Sequence, residues 1–175
     1  MQVQLKRLQQ VDPANMEPAM RAMFSLSGYQ ARSGLEPSLL ELMNLRASQI
    51  NGCAYCLDMH TKDARARGES EQRLYLLDAW RESPFYSERE RAALAWTEAV
   101  TLVAETRVPD AVYEEVRRQF SDDELLALTM SVITINAFNR LNVALRTVPG
   151  AYQPGILDGV ALEDLARDVT LAAAN

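Results

Sequence analysis

Residues 37–68 read PSLLELMNLRASQINGCAYCLDMHTKDARARG, and this stretch decides the fold class. Pro37 suits the first turn of a helix, and the apolar residues that follow it recur at helical spacing. The dipeptide Asn51-Gly52 interrupts that pattern and favours a turn. A further helix is expected over residues 53–67, because Gly68 is a typical helix end. The stretch therefore predicts two helices joined at a turn.

The rest of the chain carries the same kind of pattern. Capping boxes, in which a serine precedes a glutamate by three residues, stand at 87–90 and 121–124 and mark the starts of helices. No stretch of useful length alternates apolar and polar residues with the period that strands need. We therefore expect an all-α fold, a single-domain helical bundle over residues 1–175. The expected helices cover residues 15–31, 38–50, 53–67, 70–80, 92–104, 109–120, the run from the second capping box to about 145, and 162–174, with residues 147–159 extended.

Length, charge and hydropathy narrow the classes of function. The chain has 175 residues, 48% of them hydrophobic, which suffices for one core of ordinary size. The formal net charge of −6 and the pI of about 4.9 argue against a nucleic-acid partner, because neutralising phosphates needs clustered Lys and Arg. No apolar run approaches the roughly 18 residues of a membrane span, and the N-terminal residues lack the apolar region of a secretory signal. We expect no membrane partner and a cytoplasmic location.

The residues that carry chemistry are concentrated in one short segment. The chain has only two cysteines, Cys53 and Cys56, and one histidine, His60, all within eight residues. At helical spacings of three and four, their side chains share one helix face. The start of a helix stabilises a thiolate, which is the reactive form of cysteine, and a neighbouring imidazole can take the thiol proton. Such a close pair in a reducing compartment is more often catalytic or metal-binding than structural.

Glu41 is a candidate for a role beside the imidazole. Along one straight helix it would lie about 18 Å from Cys53, at a rise of about 1.5 Å per residue. A turn at Asn51-Gly52 instead folds the two helices antiparallel and places position 41 opposite positions 60–62. Glu41 then reaches His60, orients its ring and raises its basicity, as the third member of a triad does.

The spacing E-x11-C-x2-C-x3-H and the local sequence NGCAYC at 51–56 resemble the signature of the alkylhydroperoxidase D (AhpD)-like branch of the carboxymuconolactone decarboxylase family. The similarity is concentrated in residues 35–90, with less specific matches at 93–103 and 136–149. The resemblance implies an all-helical fold and a thiol-dependent peroxidase that reduces hydrogen peroxide or organic hydroperoxides. It also implies no metal, no organic cofactor, and a homo-oligomer such as a trimer or hexamer.

The resemblance assigns roles to four residues of this chain. Cys56 is the thiol that attacks the peroxide and becomes a sulfenic acid, and Cys53 then condenses with it to a disulfide. His60 and Glu41 form the proton relay, and an unidentified thiol or disulfide reductant reopens the disulfide. The helix-start argument alone favours Cys53 as the nucleophile, whereas the proximity of His60 favours Cys56, so the physical argument leaves the order of the two thiols open.

Three other functions are alternatives to this interpretation. Structural zinc commonly takes four Cys or His ligands, a set that two Cys, one His and one Glu match poorly. A decarboxylase or related lyase of the family's other branch works without the cysteine pair, so the presence of both cysteines argues against it. A redox-sensing or binding protein that keeps a reactive dithiol is the third alternative.

Two features of the sequence have no assigned role. Tyr55 stands where the better-studied peroxidases of the branch carry a second histidine, so a shorter relay is expected. Polar residues also interrupt the last long apolar helix, where they either line a pocket or an oligomer interface or satisfy the backbone of the following loop; they are Asn136, Asn139, Arg140 and Asn142.

Overall fold

Helices make up most of the part of the chain that the computed structural model describes, which is residue 7 and residues 10–155; no strand occurs among these residues. A short 3-10 turn, Leu77–Ala79, follows the fourth α-helix. The all-α fold expected from the sequence is confirmed, and the helix expected at 162–174 lies outside the described residues. The α-helices are α1 (Pro13–Ala31), α2 (Pro37–Asn51), α3 (Ala54–Ala66), α4 (Glu71–Tyr75), α5 (Glu88–Thr101), α6 (Val103–Thr106), α7 (Asp110–Arg117) and α8 (Asp122–Leu145).

Local signals in the sequence explain where the helices around the site begin and end. Pro37 opens α2, and Gly52 ends it with a φ of 65°, a left-handed conformation that glycine adopts without a steric penalty. Cys53 is the N-cap of α3. Both predicted capping boxes are present, at Ser87 before α5 and at Ser121 before α8. The turn between α2 and α3 is therefore fixed by its own residues.

The helix expected over residues 70–80 is divided into α4 and the 3-10 turn. Leu74, Leu77 and Trp80 are all buried in one hydrophobic cluster. Two residues three apart share one face of an α-helix, but a row of three such residues drifts around it, whereas it stays aligned in a 3-10 helix, which has three residues per turn. Burial of this row of side chains therefore overrides the α-helical pattern in this segment.

The helix expected over residues 92–104 starts earlier, directly after its capping serine, and ends at Thr101. The hydroxyl of Thr106 donates to the carbonyl oxygen of Ala99 over 2.7 Å. That carbonyl is the acceptor that the next helical N–H would use, so the helix breaks before α6. The other expected helices within the described residues agree to within three residues at either end, and residues 147–155 contain no helix, as expected.

Helix α2 occupies the centre of the fold, where it packs against α3, α5 and α8. Its consecutive residues Leu42 and Met43 are fully buried in two different hydrophobic clusters, so opposite faces of α2 are covered. Helix α8 packs on α1, α2 and α5. The hairpin of α2 and α3 therefore lies against α8, and this contact carries the candidate site. None of the described helices combines the length and hydropathy that crossing a membrane would require.

Candidate active site

The two cysteines lie side by side at the start of α3. The backbone N–H of Cys56, in the first turn, donates to the Cys53 sulfur over 3.4 Å. The two sulfurs are 2.6 Å apart, and both residues are free thiols with 1% of their surface exposed. Sulfurs this close can be joined as a disulfide with little movement of the backbone.

The surroundings of the two sulfurs favour a thiolate on Cys53. The hydrogen bond with the Cys56 side chain lowers the pKa of Cys53 to about 7; the Cys56 backbone N–H and Asn139 act in the same direction, and burial opposes them. The hydrogen bond with Cys53 and burial raise the pKa of Cys56. The pair therefore shares one proton near neutral pH, with Cys56 as the hydrogen-bond donor.

The hairpin of α2 and α3 brings Glu41 and His60 into contact, as the antiparallel geometry predicts. Oε2 of Glu41 lies 2.8 Å from Nδ1 of His60, and the two residues have 7% and 8% of their surface exposed. An ionised carboxylate can only accept, so Nδ1 carries the hydrogen of this bond and Nε2 remains free to exchange a proton. The second oxygen of Glu41 accepts from the Arg67 guanidinium, which holds the carboxylate in place.

The imidazole and the sulfurs are neighbours without a direct hydrogen bond. Within the described part of the chain, the ring of His60 has a hydrogen bond to Glu41 and none to either cysteine. The charge of His60 still contributes to the lowered pKa of Cys53, which places the ring within electrostatic reach of the sulfur. A proton that passes between imidazole and sulfur therefore needs a bridging water or a small side-chain movement.

The polar residues of α8 hold the turn of the hairpin. Asn51, at the end of α2, donates to the side-chain oxygens of Asn136 and Asn139 over 3.0 and 2.9 Å. Asn142 donates to the Cys56 sulfur over 3.5 Å. Asn139 is fully buried, so water does not compete for its side chain. These hydrogen bonds give the asparagines a role within the chain, and the expected oligomer interface stays a prediction.

Tyr55 is half-buried and packs with Ala47 and Ile135 around the two sulfurs. Burial raises the pKa of its hydroxyl, and the nearby Cys56 thiolate would act in the same direction. The phenol is therefore protonated at neutral pH and accepts no proton there. A histidine at this position could accept one. Tyr55 covers the sulfurs and does not add a base to the site.

Three residues that surround the relay pair are absent from the expectations drawn from the sequence. Asp63 and Arg67 follow His60 by three and seven residues on α3, and this helical spacing is a signal that could have identified them. The hydroxyl of Tyr152 lies 2.9 Å from each carboxylate oxygen of Asp63. Tyr152 belongs to a segment without periodic pattern, so no sequence signal points to it.

Three side chains present ligand atoms that could hold a cation. An oxygen of Glu41, an oxygen of Asp63 and a ring nitrogen of His60 all lie within 4.8 Å of one another. Nitrogen and oxygen donors of this kind suit several divalent metals. Arg67 and Tyr152 already engage the two carboxylates, so internal partners satisfy this donor set, and neither cysteine belongs to it.

A cavity of about 240 Å³ borders the relay at Glu41 and Arg67. Arg73 and Glu90, which form an ion pair with each other, also line it. Neither cysteine is among its lining residues. Solvent therefore approaches the carboxylate end of the relay more easily than it approaches the sulfurs.

Comparisons with known proteins connect these features to one family. The model of the carboxymuconolactone decarboxylase family matches residues 17–99. An uncharacterized protein of Bacillus subtilis, YdfG, is 43% identical over 126 residues, which cover 72% of this chain and 86% of that protein. A protein of unknown function from Agrobacterium tumefaciens, a candidate antioxidant defence protein AhpD, has a TM-score of 0.74 and 46% identity over 77% of this chain and 92% of its own.

A solved structure with less sequence similarity shares the fold. An uncharacterized peroxidase-related protein from Silicibacter sp. TM1040 has a TM-score of 0.66 and 24% identity, over 74% of this chain and 69% of its own. Its likeness shows the fold alone.

The helical hairpin with two neighbouring thiols at its turn agrees with the AhpD-like resemblance found in the sequence. The chain belongs to the carboxymuconolactone decarboxylase family, in its AhpD-like branch. The family resemblance read from residues 41–60 is thereby confirmed.

Proposed function

We propose that this protein is a thiol-dependent peroxidase that reduces hydrogen peroxide or organic hydroperoxides through a Cys53–Cys56 disulfide. The observation that carries the proposal is the pair of free sulfurs 2.6 Å apart, with the pKa of Cys53 lowered to about 7. A Cys53 thiolate that is available at neutral pH can take the proton of Cys56, and the thiolate formed in this way is the species that attacks a peroxide. The similarity to a candidate antioxidant defence protein supports the same class of activity.

In the first step, Cys56 attacks the peroxide. The Cys53 thiolate takes the Cys56 proton through the hydrogen bond that joins the two sulfurs. The Cys56 sulfur then bonds to one peroxide oxygen, the O–O bond breaks, and the other oxygen leaves with a proton as alcohol or water. Asn142, which donates to the Cys56 sulfur, stabilises the attacking thiolate. The step leaves a sulfenic acid on Cys56.

In the second step, Cys53 resolves the sulfenic acid. Its sulfur loses its proton again and attacks the Cys56 sulfur, the S–S bond forms, and the hydroxyl leaves as water. Counted over both steps, the two thiols lose two protons and two electrons, and the peroxide becomes one alcohol and one water, or two waters when it is hydrogen peroxide. An external thiol or disulfide reductant then reopens the disulfide by thiol exchange.

His60 and Glu41 are the relay that moves these protons. Nδ1 of His60 is bonded to Glu41, so Nε2 is the nitrogen that gives a proton to the leaving oxygen and later takes one from Cys53. The negative carboxylate stabilises the imidazolium that gives the first proton and that forms again when the ring takes the second. A bridging water completes the path between the ring and the sulfurs.

The proposal is tested by titrating the reduced protein with hydrogen peroxide and with cumene hydroperoxide. We expect the consumption of one peroxide per chain and the loss of both free thiols to an intramolecular disulfide, which dithiothreitol restores. The double variant Cys53→Ser/Cys56→Ser is the matched control and consumes no peroxide. Two free thiols that remain after treatment with either peroxide would contradict the proposal.

Burial of both sulfurs favours a second candidate function, a redox sensor. Each cysteine has 1% of its surface exposed, so peroxide and reductant must displace neighbouring side chains such as Tyr55 before they react. A sensor would turn over slowly and change shape strongly on oxidation. Hydrogen exchange of the reduced and oxidised protein separates the two functions, because a peroxidase needs only a local change around the hairpin turn.

We also propose that the protein is a homo-oligomer, such as a trimer or hexamer, and that it is cytoplasmic. Apolar side chains on α8 are candidates for the contact, since Leu126, Ile133 and Val143 are 57%, 44% and 48% exposed and an assembly through α8 would remove them from water. Size-exclusion chromatography with light scattering is the test. A monomeric wild-type protein, or an Ile133→Glu variant with unchanged mass, contradicts assembly through this face.

A further inference from the structure

The segment that follows α8 is fastened across α3. We call residues 147–155 the strap; it contains no helix. Asp58 accepts from the backbone N–H of Gly150 over 2.9 Å. Lys62, one turn later, donates to the carbonyl oxygens of Gly150 and Tyr152 over 3.1 and 3.0 Å. These bonds place the ring of Tyr152 beside the same helix that carries His60.

The hydroxyl of Tyr152 reaches a second carboxylate at the edge of the relay. It lies 2.9 Å from each oxygen of Asp63, and Tyr152 itself is 8% exposed. An oxygen of Asp63, an oxygen of Glu41 and a ring nitrogen of His60 lie within 4.8 Å of one another. Asp63 is therefore a second possible partner for the imidazole, in competition with Glu41.

We propose that Tyr152 is a positioning residue that keeps Asp63 turned away from His60, so that Glu41 alone orients the imidazole. The phenol donates its hydrogen to the Asp63 carboxylate, which satisfies that charge without the ring of His60. The expected effect on reaction rate rests on the proposed peroxidase function. The expected effect on the hydrogen bonds of His60 does not depend on it.

The groups that face Asp63 explain why the phenol matters. Burial raises the pKa of the Asp63 carboxyl, the hydrogen bond from Tyr152 lowers it, and the charge of Glu41 on α2 raises it; on α3 itself, His60 and Arg67 lower it. Without the hydroxyl, Asp63 either takes a proton or turns to the nearest remaining donor. Both changes alter the environment of the imidazole.

The variant Tyr152→Phe keeps the ring and removes only the hydroxyl. We expect it to slow disulfide formation by peroxide about tenfold, because a small displacement of a proton-transferring group is costly, and to change the pH profile of that rate. His60 is the only histidine of the chain, so its two ring nitrogens give an isolated pair of signals in ¹⁵N-edited NMR. These signals should shift in Tyr152→Phe, because the ring acquires a different partner.

Removal of the competing carboxylate should suppress this effect. In Asp63→Ala no carboxylate competes for His60, so we expect a rate and ring-nitrogen signals close to wild type. The double variant Tyr152→Phe/Asp63→Ala should behave like Asp63→Ala. If the hydroxyl served only to anchor the strap, Asp63→Ala would be as slow as Tyr152→Phe, and that result would overturn the proposal.

Two further measurements separate the positioning role from a general effect of losing a tyrosine hydroxyl and from a failure of the proposed function. Tyr86→Phe is the matched control, because Tyr86 is also a buried tyrosine and its hydroxyl donates to the backbone carbonyl of Arg73; its removal should leave the signals of His60 unchanged. Ring-nitrogen signals that stay at their wild-type positions in Tyr152→Phe would overturn the proposal. A wild-type protein that does not react with peroxide would contradict the proposed function, and the NMR comparison would still test the positioning role.

Discussion

The two sides of the site differ in how far along the chain their contacts reach. On the hairpin side, Glu41 and His60 meet across 19 positions, and the two cysteines meet across three. On the side of α8 and the strap, Asn51 meets Asn136 across 85 positions and Asp63 meets Tyr152 across 89. The hairpin side contains every group that we propose to exchange a proton or an electron. The side of α8 and the strap, the distant side, contributes hydrogen bonds to those groups and to the turn that carries them.

We infer from this difference that residues of the hairpin side carry out the reaction and that residues of the distant side hold them in position. Substitutions on the hairpin side should remove steps of the reaction, because no other cysteine or histidine exists in the chain to replace the lost group. Substitutions on the distant side should leave the steps in place and change their rate or their pH dependence. The following predictions test this separation in order of expected size.

Among substitutions that keep both thiols, the largest effect is expected for Glu41→Gln. The variant keeps the shape of the side chain and removes the charge that stabilises the imidazolium, so disulfide formation should slow about 100-fold. Rapid mixing with peroxide, followed by acid quench and thiol counting, measures the rate. Glu98→Gln is the control, because Glu98 is a half-buried carboxylate whose hydrogen bonds join Arg46 and Trp80 and neither the relay nor the thiols. Equal slowing in both variants would contradict the role of Glu41.

An intermediate effect is expected in the titration of the thiols. The pKa of Cys53 is about 7 against an ordinary 9.0, so the ultraviolet absorbance of thiolate should rise through neutral pH and lose this step in Cys53→Ser. Between these two values the unfolded chain keeps a proton that the folded chain has lost, so the reduced protein gains stability as pH rises. Asn139→Ala removes a hydrogen bond that lowers the pKa of Cys53, and its midpoint should lie higher. A wild-type midpoint at or above the ordinary value would contradict this account.

The two sides also differ in how much the sequence reveals. The hairpin was predictable, because Gly52 ends one helix and Cys53 starts the next, and antiparallel helices then bring positions 41 and 60 together. The strap was not predictable, because its bonds to α3 join residues that no periodicity relates. The division of the expected helix at 70–80 was missed for a similar reason. Burial of Leu74, Leu77 and Trp80 in one cluster is a property of the packed fold.

The smallest effect is expected for glycine substitutions, one on each side. Gly52 and Gly150 have φ values of 65° and 109°, and an added Cβ would meet no atom within 4 Å at either position. Gly52→Ala should lower the free energy of unfolding by about 1–2 kcal/mol through backbone strain, because the hairpin is part of the core. Gly150→Ala should lower it less, since the strap can leave α3 without opening the core. Urea denaturation measures both, and the reverse order would contradict the division between the two sides.

The most direct test of the central claim is the identity of the sulfur that peroxide oxidises first. Reduced Cys53→Ser and Cys56→Ser variants are treated with cumene hydroperoxide and a sulfenic-acid trap, and their intact masses are measured. We predict a trapped sulfenic acid in Cys53→Ser, which retains Cys56, and none in Cys56→Ser, while the wild type loses two hydrogens to a disulfide. A sulfenic acid trapped only on Cys53 would reverse the order of the two thiols. No oxidation of any of the three proteins would contradict the two-thiol cycle.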